Sequence, residues 1–246
     1  ALQLEVPQED STAAGGPEAP APPLPRLFEA GARSAQLLGP ADAPAADEAL
    51  PLLLVFHGNG KTKESVDWMR GEFALLAERN RCFVLVPAAN LHTWDLYIDE
   101  HPSEDLRFVE SVLRQVLSDY RVDGTRIACM GFSDGASLSL SLAACNPTLV
   151  QAAMVWAAGY CLRRKATATK GLPKPRLLIG HGGLDEVFDL DRVVLPMKER
   201  LERAGYRVDL WLEPQAAHGP RPEFAQDAIG FWLALPPRLE AEVPGG

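Results

Sequence analysis

A serine framed by two glycines, Gly131-Phe132-Ser133-Asp134-Gly135, is the stretch of this chain whose residue types and spacing point most directly to chemistry. It closes an apolar run, Arg126-Ile127-Ala128-Cys129-Met130, and opens a helix-like run from Ala136 to Ala144. Strand, Gly-x-Ser-x-Gly, helix is the pattern of a sharp turn that lifts a serine hydroxyl clear of a sheet. The glycines suit a turn with no room for side chains, and a helix N-terminus just beyond the serine would favour a negatively charged oxygen nearby. The same five residues also describe a Gly-rich turn with a bystander serine. The choice depends on what else the chain supplies.

A serine hydroxyl is a poor nucleophile at neutral pH and needs a base within hydrogen-bond reach, itself oriented by a carboxylate. Five histidines compete for that role. His57 and His181 each precede a glycine directly after an apolar run and read as turn-shaping residues. His92 and His101 lie before the elbow, in an irregular loop and at a helix entry. His218, in Ala216-Ala217-His218-Gly219-Pro220, follows the last strand-like run on a loop that can swing toward the serine. It is the candidate base. With an elbow of this kind the acid falls between serine and base in chain order. Asp185 in His181-Gly182-Gly183-Leu184-Asp185-Glu186-Val187 is the candidate, with Glu186 its rival. Asp189 and Asp191 look instead like the acidic start of the next helix. A tetrahedral intermediate needs N–H donors fixed in advance. The backbone N–H groups of Asp134 and Asn59 are the expected pair, the latter in His57-Gly58-Asn59-Gly60, which also reads as a tight turn. A histidine base predicts activity that falls on acidification, around the free imidazole pKa of about 6.5.

These residues must be placed by the elements around them. Leu52-Leu53-Leu54-Val55-Phe56 is a continuous apolar run, as expected of a strand buried on both faces. Ser65 to Arg79 reads as a helix with Val66, Met69, Phe73 and Leu76 on one face. Cys82 to Val86 is the next strand, stopped by Pro87, and a loop with His92, Trp94 and Tyr97 follows. Ser103 opens a helix whose apolar stripe runs from Leu106 to Leu117. Ile127–Met130, Ala152–Ala157, Arg176–Ile179 and Val208–Leu212 read as strands. Val193–Ala204, ended by Gly205, and Glu223–Leu235 read as helices. Strands alternating with helices over residues 51–235 predict an α/β fold, a mainly parallel central sheet with helices on both faces. In such sheets ligands bind at the carboxyl ends of the strands, where each of the motifs above falls. Trp94, Tyr97, Phe132 and Phe188 lie on or near that edge and are candidates to line an acyl or leaving-group pocket, although ordinary packing would explain them equally. The Asp134 side chain either faces the site or caps the helix.

The chain is organised as a Pro/Ala-rich segment, residues 1–50, with edge strands at Leu2–Val6 and Arg33–Leu38, and one domain over 51–246. Its 246 residues and 47% hydrophobic content suffice for one full core. A net charge of −9 and only short basic clusters argue against nucleic acid, and no apolar run approaches the roughly 20 residues of a membrane span. Cys82, Cys129, Cys145 and Cys161 form no Cys-x-x-Cys pair and read as free core thiols in a reducing compartment, hence a cytoplasmic setting. The chain starts at Ala1, which leaves room for a removed signal peptide. No metal-ligand spacing is present. Asn59-Gly60-Lys61-Thr62 resembles the end of a phosphate loop, but the position that needs the first glycine holds Val55.

Leu54-Val55-Phe56-His57-Gly58, Tyr120-Arg121-Val122-Asp123 with Arg126-Ile127, Gly131-Phe132-Ser133-Asp134-Gly135, His181-Gly182-Gly183-Leu184-Asp185 and His218-Gly219 together resemble an α/β-hydrolase-fold serine esterase. The likeness is to the small carboxylesterase/phospholipase branch and the related polyhydroxybutyrate-depolymerase and dienelactone-hydrolase-like esterases. It departs from the dienelactone hydrolases proper in having serine rather than cysteine as nucleophile, and no long lid insertion suggests a true lipase. The resemblance implies a cofactor-free hydrolase acting on a small-molecule acyl ester through Ser133, His218 and Asp185. A homodimer is compatible with it. Thioesterase, peptidase or acyltransferase chemistry on the same three residues, or a non-catalytic binding module, are the competing readings.

Overall fold

The computed structural model describes residues 4, 21–42, 44–45, 48–95, 103–161 and 171–238. Among the described residues eight strands form one sheet: β1 (Arg26–Ala30), β2 (Arg33–Leu38), β3 (Leu50–Phe56), β4 (Phe83–Ala88), β5 (Val122–Phe132), β6 (Ala152–Trp156), β7 (Arg176–Gly182) and β8 (Arg207–Glu213), in the order β1-β2-β4-β3-β5-β6-β7-β8. From β4 to β8 every pairing is parallel, while the β1–β2 hairpin joins antiparallel. This is the mainly parallel sheet with helices on both faces expected from the alternation of strands and helices, and it fits the α/β-hydrolase fold that the resemblance implies.

The apolar runs are continuous because both faces are covered. On β3, Leu52, Leu54 and Phe56 join one core and Leu53 and Val55 the other; β4 divides Phe83 and Leu85 from Val84 and Val86 in the same way. The first core packs against α2 (Glu104–Asp119), α3 (Asp134–Cys145) and α4 (Leu195–Arg203). The second packs against α1 (Lys63–Asn80) and α5 (Pro222–Leu233) through Phe73, Leu76, Phe224, Ile229 and Trp232. Each fully buried Leu, Val or Phe contributes about 1.5–3 kcal/mol. All four cysteines are buried, and none forms a disulfide. Among the described residues no helix is long and apolar enough to cross a membrane, and no group of three or more His, Cys, Asp or Glu could hold a metal ion.

Local chemistry sets the helix ends. Thr62 and Ser65 cap α1 reciprocally, each side chain bonding the other's backbone N–H. The Ser103 hydroxyl accepts from Leu106 N–H at the start of α2. Asp189 caps a π-helical turn, Leu190–Val194, that leads into α4, and Gly205 follows that helix at φ +87°.

Three expectations need correction. Arg33–Leu38 is a strand but not an edge, because β1 pairs along its outer side. The sequence hides β1, since only Phe28 of its five residues is buried. β4 runs through Pro87: its ladder to β3 ends at Leu85, so the missing N–H breaks no bond on that side. Gly180 to Gly182 continue β7 instead of forming a turn. Of the segment Leu2–Val6 only Leu4 is described; its N–H donates to Asn146 Oδ1 at 2.7 Å. At the same corner the Arg238 guanidinium donates to the carbonyls of Pro147 and Thr148.

The chain leaves β3 for β4 on one side and later returns to β5 on the other, so strand order reverses at the carboxyl ends of β3 and β5. That reversal opens the crevice where α/β sheets bind ligands. Here α3 enters very close to β3: a Cβ on Gly135 would stand 2.1 Å from Phe56 O. Gly135→Ala should therefore cost more than about 3 kcal/mol or prevent folding. Gly71→Ala, on the exposed side of α1 with nothing within 4 Å of its Cβ, should stabilise by about 0.5–1 kcal/mol. Urea denaturation of the two variants checks the contrast.

Candidate active site

Ser133 sits at the junction of β5 and α3 with φ 55° and ψ −116°. A non-glycine residue there carries on the order of 1–3 kcal/mol of strain and persists only where its surroundings over-determine it. Four features do so. The Ser133 N–H donates to Trp156 O at 3.0 Å, and its carbonyl accepts from Ser137 N–H at 3.0 Å. A Cβ on Gly131 would lie 2.3 Å from Gly135 O, and one on Gly135 would strike the end of β3. Both elbow glycines are thus sterically required.

The base arrives from the loop between β8 and α5. Leu184 N–H donates to Ala216 O, tying that loop to the one after β7. Added Cβ atoms would reach 2.3 Å from Ala216 O at Gly182 and 2.6 Å from Pro214 O at Gly183. The Gly182-Gly183 pair therefore lets the two loops press together. His218 Nε2 then lies 3.0 Å from Ser133 Oγ, and its Nδ1 lies 2.8 Å from Asp185 Oδ2. A carboxylate only accepts, so Nδ1 carries the hydrogen and Nε2 offers its lone pair to the hydroxyl. Phe132 and Phe188 flank the imidazole, with ring centroids 5.0 and 5.6 Å away.

The other Asp185 oxygen accepts from Val187 N–H at 2.9 Å and Phe188 N–H at 2.8 Å. Burial pushes the carboxyl pKa up. The Phe188 N–H, the His218 ring and the Val187 N–H outweigh it and hold Asp185 below the ordinary carboxylate range. Its rival Glu186 is exposed. Asp185 accordingly stays ionised.

Two further histidines support the site as neutral rings. His181 is a fully buried β7 residue, not a turn former, and its Nε2 is 2.8 Å from Phe188 O. A carbonyl accepts, so Nε2 carries the hydrogen; burial lowers the pKa of this ring below the usual imidazole value. His57 Nδ1 lies 2.7 Å from Gly58 O, while its Nε2 accepts from Ala89 N–H at 3.1 Å.

The candidate oxyanion donors come from the elbow itself, at Asp134, and from the loop after β3, at Asn59. The loop after β3 touches it, because a Cβ on Gly58 would be 3.2 Å from Ser133 Cβ. Asn59 is exposed, and its side chain accepts from Gly60 N–H. The Asp134 carboxylate accepts from Thr93 Oγ1 at 2.6 Å. Trp94 needs correction as a pocket residue: it is fully buried, stacked on His57 at 4.5 Å, with Nε1 donating to His57 O at 2.9 Å. Tyr97 and His101 lie outside the described residues. Nothing in the sequence spacing singles out Thr93, since its partner is brought close only by the fold.

Comparisons with known proteins bear on the family and the fold. A model of the family described as Phospholipase/Carboxylesterase matches residues 98–233, more than half of the chain. Putative esterase NocK of Nocardia uniformis subsp. tsuyamanensis is 30% identical over 139 residues, a match covering 54% of this chain but only 36% of that protein's length. Among solved structures, a fluorophosphonate-binding serine hydrolase, FphF of Staphylococcus aureus, superposes with TM-score 0.64 at 14% identity, covering 87% of this chain and 99% of that one. Esterase 2 of Thermogutta terrifontis, phosphorylated by paraoxon, superposes with TM-score 0.56 at 17% identity, covering 81% and 86%. At these identities the structural likeness speaks for the fold alone.

The His57 environment makes a pH prediction. Burial, the dominant influence, pushes its pKa from 6.5 down to about 4. The unfolded chain therefore binds the extra proton in that window. The stabilisation is complete above the unfolded value and is lost as pH falls toward 4, by about 3 kcal/mol. Urea unfolding followed from pH 7.5 to 4 should show this decline, with a visibly shallower slope in His57→Asn.

Proposed function

Because the chain belongs to the phospholipase/carboxylesterase family, we propose that it is a carboxylic ester hydrolase that cleaves small to medium esters through an acyl-enzyme on Ser133. The observation that carries this reading is the hydrogen-bonded row from Ser133 through His218 to Asp185 at the carboxyl edge of the sheet. The strained backbone at the serine supports it as well.

Ser133 Oγ attacks the ester carbonyl as His218 Nε2 takes its proton. Asp185, ionised and bonded to Nδ1, stabilises the resulting imidazolium. The negatively charged carbonyl oxygen is received by the backbone N–H groups of Asp134 and Asn59, the former at the N-terminus of α3. When the tetrahedral intermediate collapses, the C–O bond to the alcohol breaks and His218 returns the proton to the leaving oxygen. Water, deprotonated by His218, then attacks the acyl-enzyme, and the acid leaves as Ser133 regains its proton. Phe132 and Phe188, both partly exposed beside the imidazole, would meet the apolar part of the substrate.

Hydrolysis of p-nitrophenyl acetate and butyrate, alongside fluorophosphonate labelling, tests the proposal. Ser133→Ala should abolish labelling and lower kcat by roughly 10⁴-fold or more. Asp185→Asn should lower kcat by about 10⁴-fold while leaving the fold intact. A folded wild type that neither turns over nor labels would favour a binding module, and turnover surviving Ser133→Ala would mean another nucleophile.

A further inference from the structure

We propose that the dipeptide Thr93-Trp94 is a clamp that sets the spacing of the two halves of the oxyanion hole, with Thr93 as a positioning residue for the reaction. The inference rests on the ester-hydrolase reading above and deepens it.

The two N–H donors belong to different elements, Asn59 to the loop after β3 and Asp134 to the first turn of α3. Their separation is fixed only if something holds both. Gly58, packed against Phe132 and Ser133, does so from the elbow side. From the other side comes the loop after β4. Its Thr93 and Trp94 are adjacent in sequence, 5% and 0% exposed, and each grips one half. Thr93 Oγ1 donates to Asp134 Oδ2 at 2.6 Å. Trp94 Nε1 donates to His57 O at 2.9 Å, and its indole stacks on the His57 imidazole.

The loop that carries the clamp is itself tied down. Lys61 N–H donates to His92 O, and Lys61 Nζ to Ala89 O at 2.5 Å. The buried Asp105 carboxylate accepts from Asn90 N–H and Asp95 N–H, and also from Arg33 Nε at 2.6 Å. The segment 89–95 is therefore a fixed reference against which both donors are set.

The Thr93 bond also answers an electrostatic problem. A carboxylate on the residue after the nucleophile puts negative charge beside a developing oxyanion. A hydroxyl donor and the N-terminal dipole of α3 both offset it. Without the hydroxyl, the Asp134 side chain loses the bond that ties it to the loop after β4, and the orientation of its backbone N–H is less strictly defined. Such misplacement affects the transition state more than the bound substrate.

The test uses Thr93→Val, which keeps shape and loses the donor, and Thr93→Ser, which keeps the donor. Rates on p-nitrophenyl butyrate are expressed per active site titrated with fluorophosphonate, so that unfolded protein does not count. Affinity for a trifluoromethyl ketone, which forms a tetrahedral adduct, is compared with affinity for butyrate. Thr93→Val should lower kcat by about tenfold or more and weaken the ketone in parallel, with KM and butyrate affinity within about twofold. Thr93→Ser should recover most of the loss, and Thr93→Val should add little in an Asp134→Ala background. The clamp is overturned if Thr93→Val keeps wild-type kcat and ketone affinity, if Thr93→Ser is as impaired as Thr93→Val, or if the losses multiply in the double variant. A change in melting temperature alone, with kcat per titrated site unchanged, overturns it too. A wild type that neither labels nor turns over fails at the earlier step, where the ester-hydrolase reading itself falls.

Discussion

Backbone crowding between the start of α3 and the end of β3 governs the site. Gly135 lies against the carbonyls of Phe56 and His57, and Gly131 lies against Gly135. With both positions reduced to a bare Cα, the chain can reverse between β5 and α3 within a few residues, and Ser133 is left in the left-handed region as the price of that reversal. The same crowding brings the end of β3 alongside the elbow, so Gly58 meets Ser133. It also sets the height at which the loops after β7 and β8 must deliver Asp185 and His218. Two further glycines, Gly182 and Gly183, repeat the device by letting those loops close on one another.

Three histidines in this neighbourhood share a side chain and differ in what surrounds it. His218 faces a carboxylate on one nitrogen and a hydroxyl on the other, which suits a ring that gains and loses a proton. His57 has a carbonyl on Nδ1 and a backbone N–H on Nε2, so both nitrogens are committed in the neutral state. His181 spends one nitrogen on Phe188 O and has its Nδ1 buried with no hydrogen-bond partner, which again favours neutrality. Roles are assigned by partners, not by the residue type.

The sequence made the central strands readable because burial on both faces erases polar alternation and leaves unbroken runs such as Leu52–Phe56. Ser133, Asp185 and His218 could be picked out as candidates because each follows a strand end, where the fold exposes backbone and side chain to one crevice. What stayed hidden lacks a local signature. β1 is an edge strand with one buried residue, so its pattern resembles a loop. Trp94 looked like pocket lining because a lone aromatic in an irregular stretch gives no direction; its partner His57 lies 37 residues earlier, and only the fold brings them together. In the sequence Asp185 is favoured over Glu186 only from its place in the motif, because the physical difference is which carboxylate turns inward to meet Val187 N–H and Phe188 N–H.

Leu4 and Arg238 are tied to Asn146, Pro147 and Thr148, the corner where α3 ends and the chain turns into β6. That corner lies at the opposite end of α3 from Ser133, with the length of the helix between them. A resin, a carrier domain or a surface coupled through this corner would hold the protein by its far side. The crevice would face outward, and neither the linker nor its charge would come between the serine and an arriving molecule.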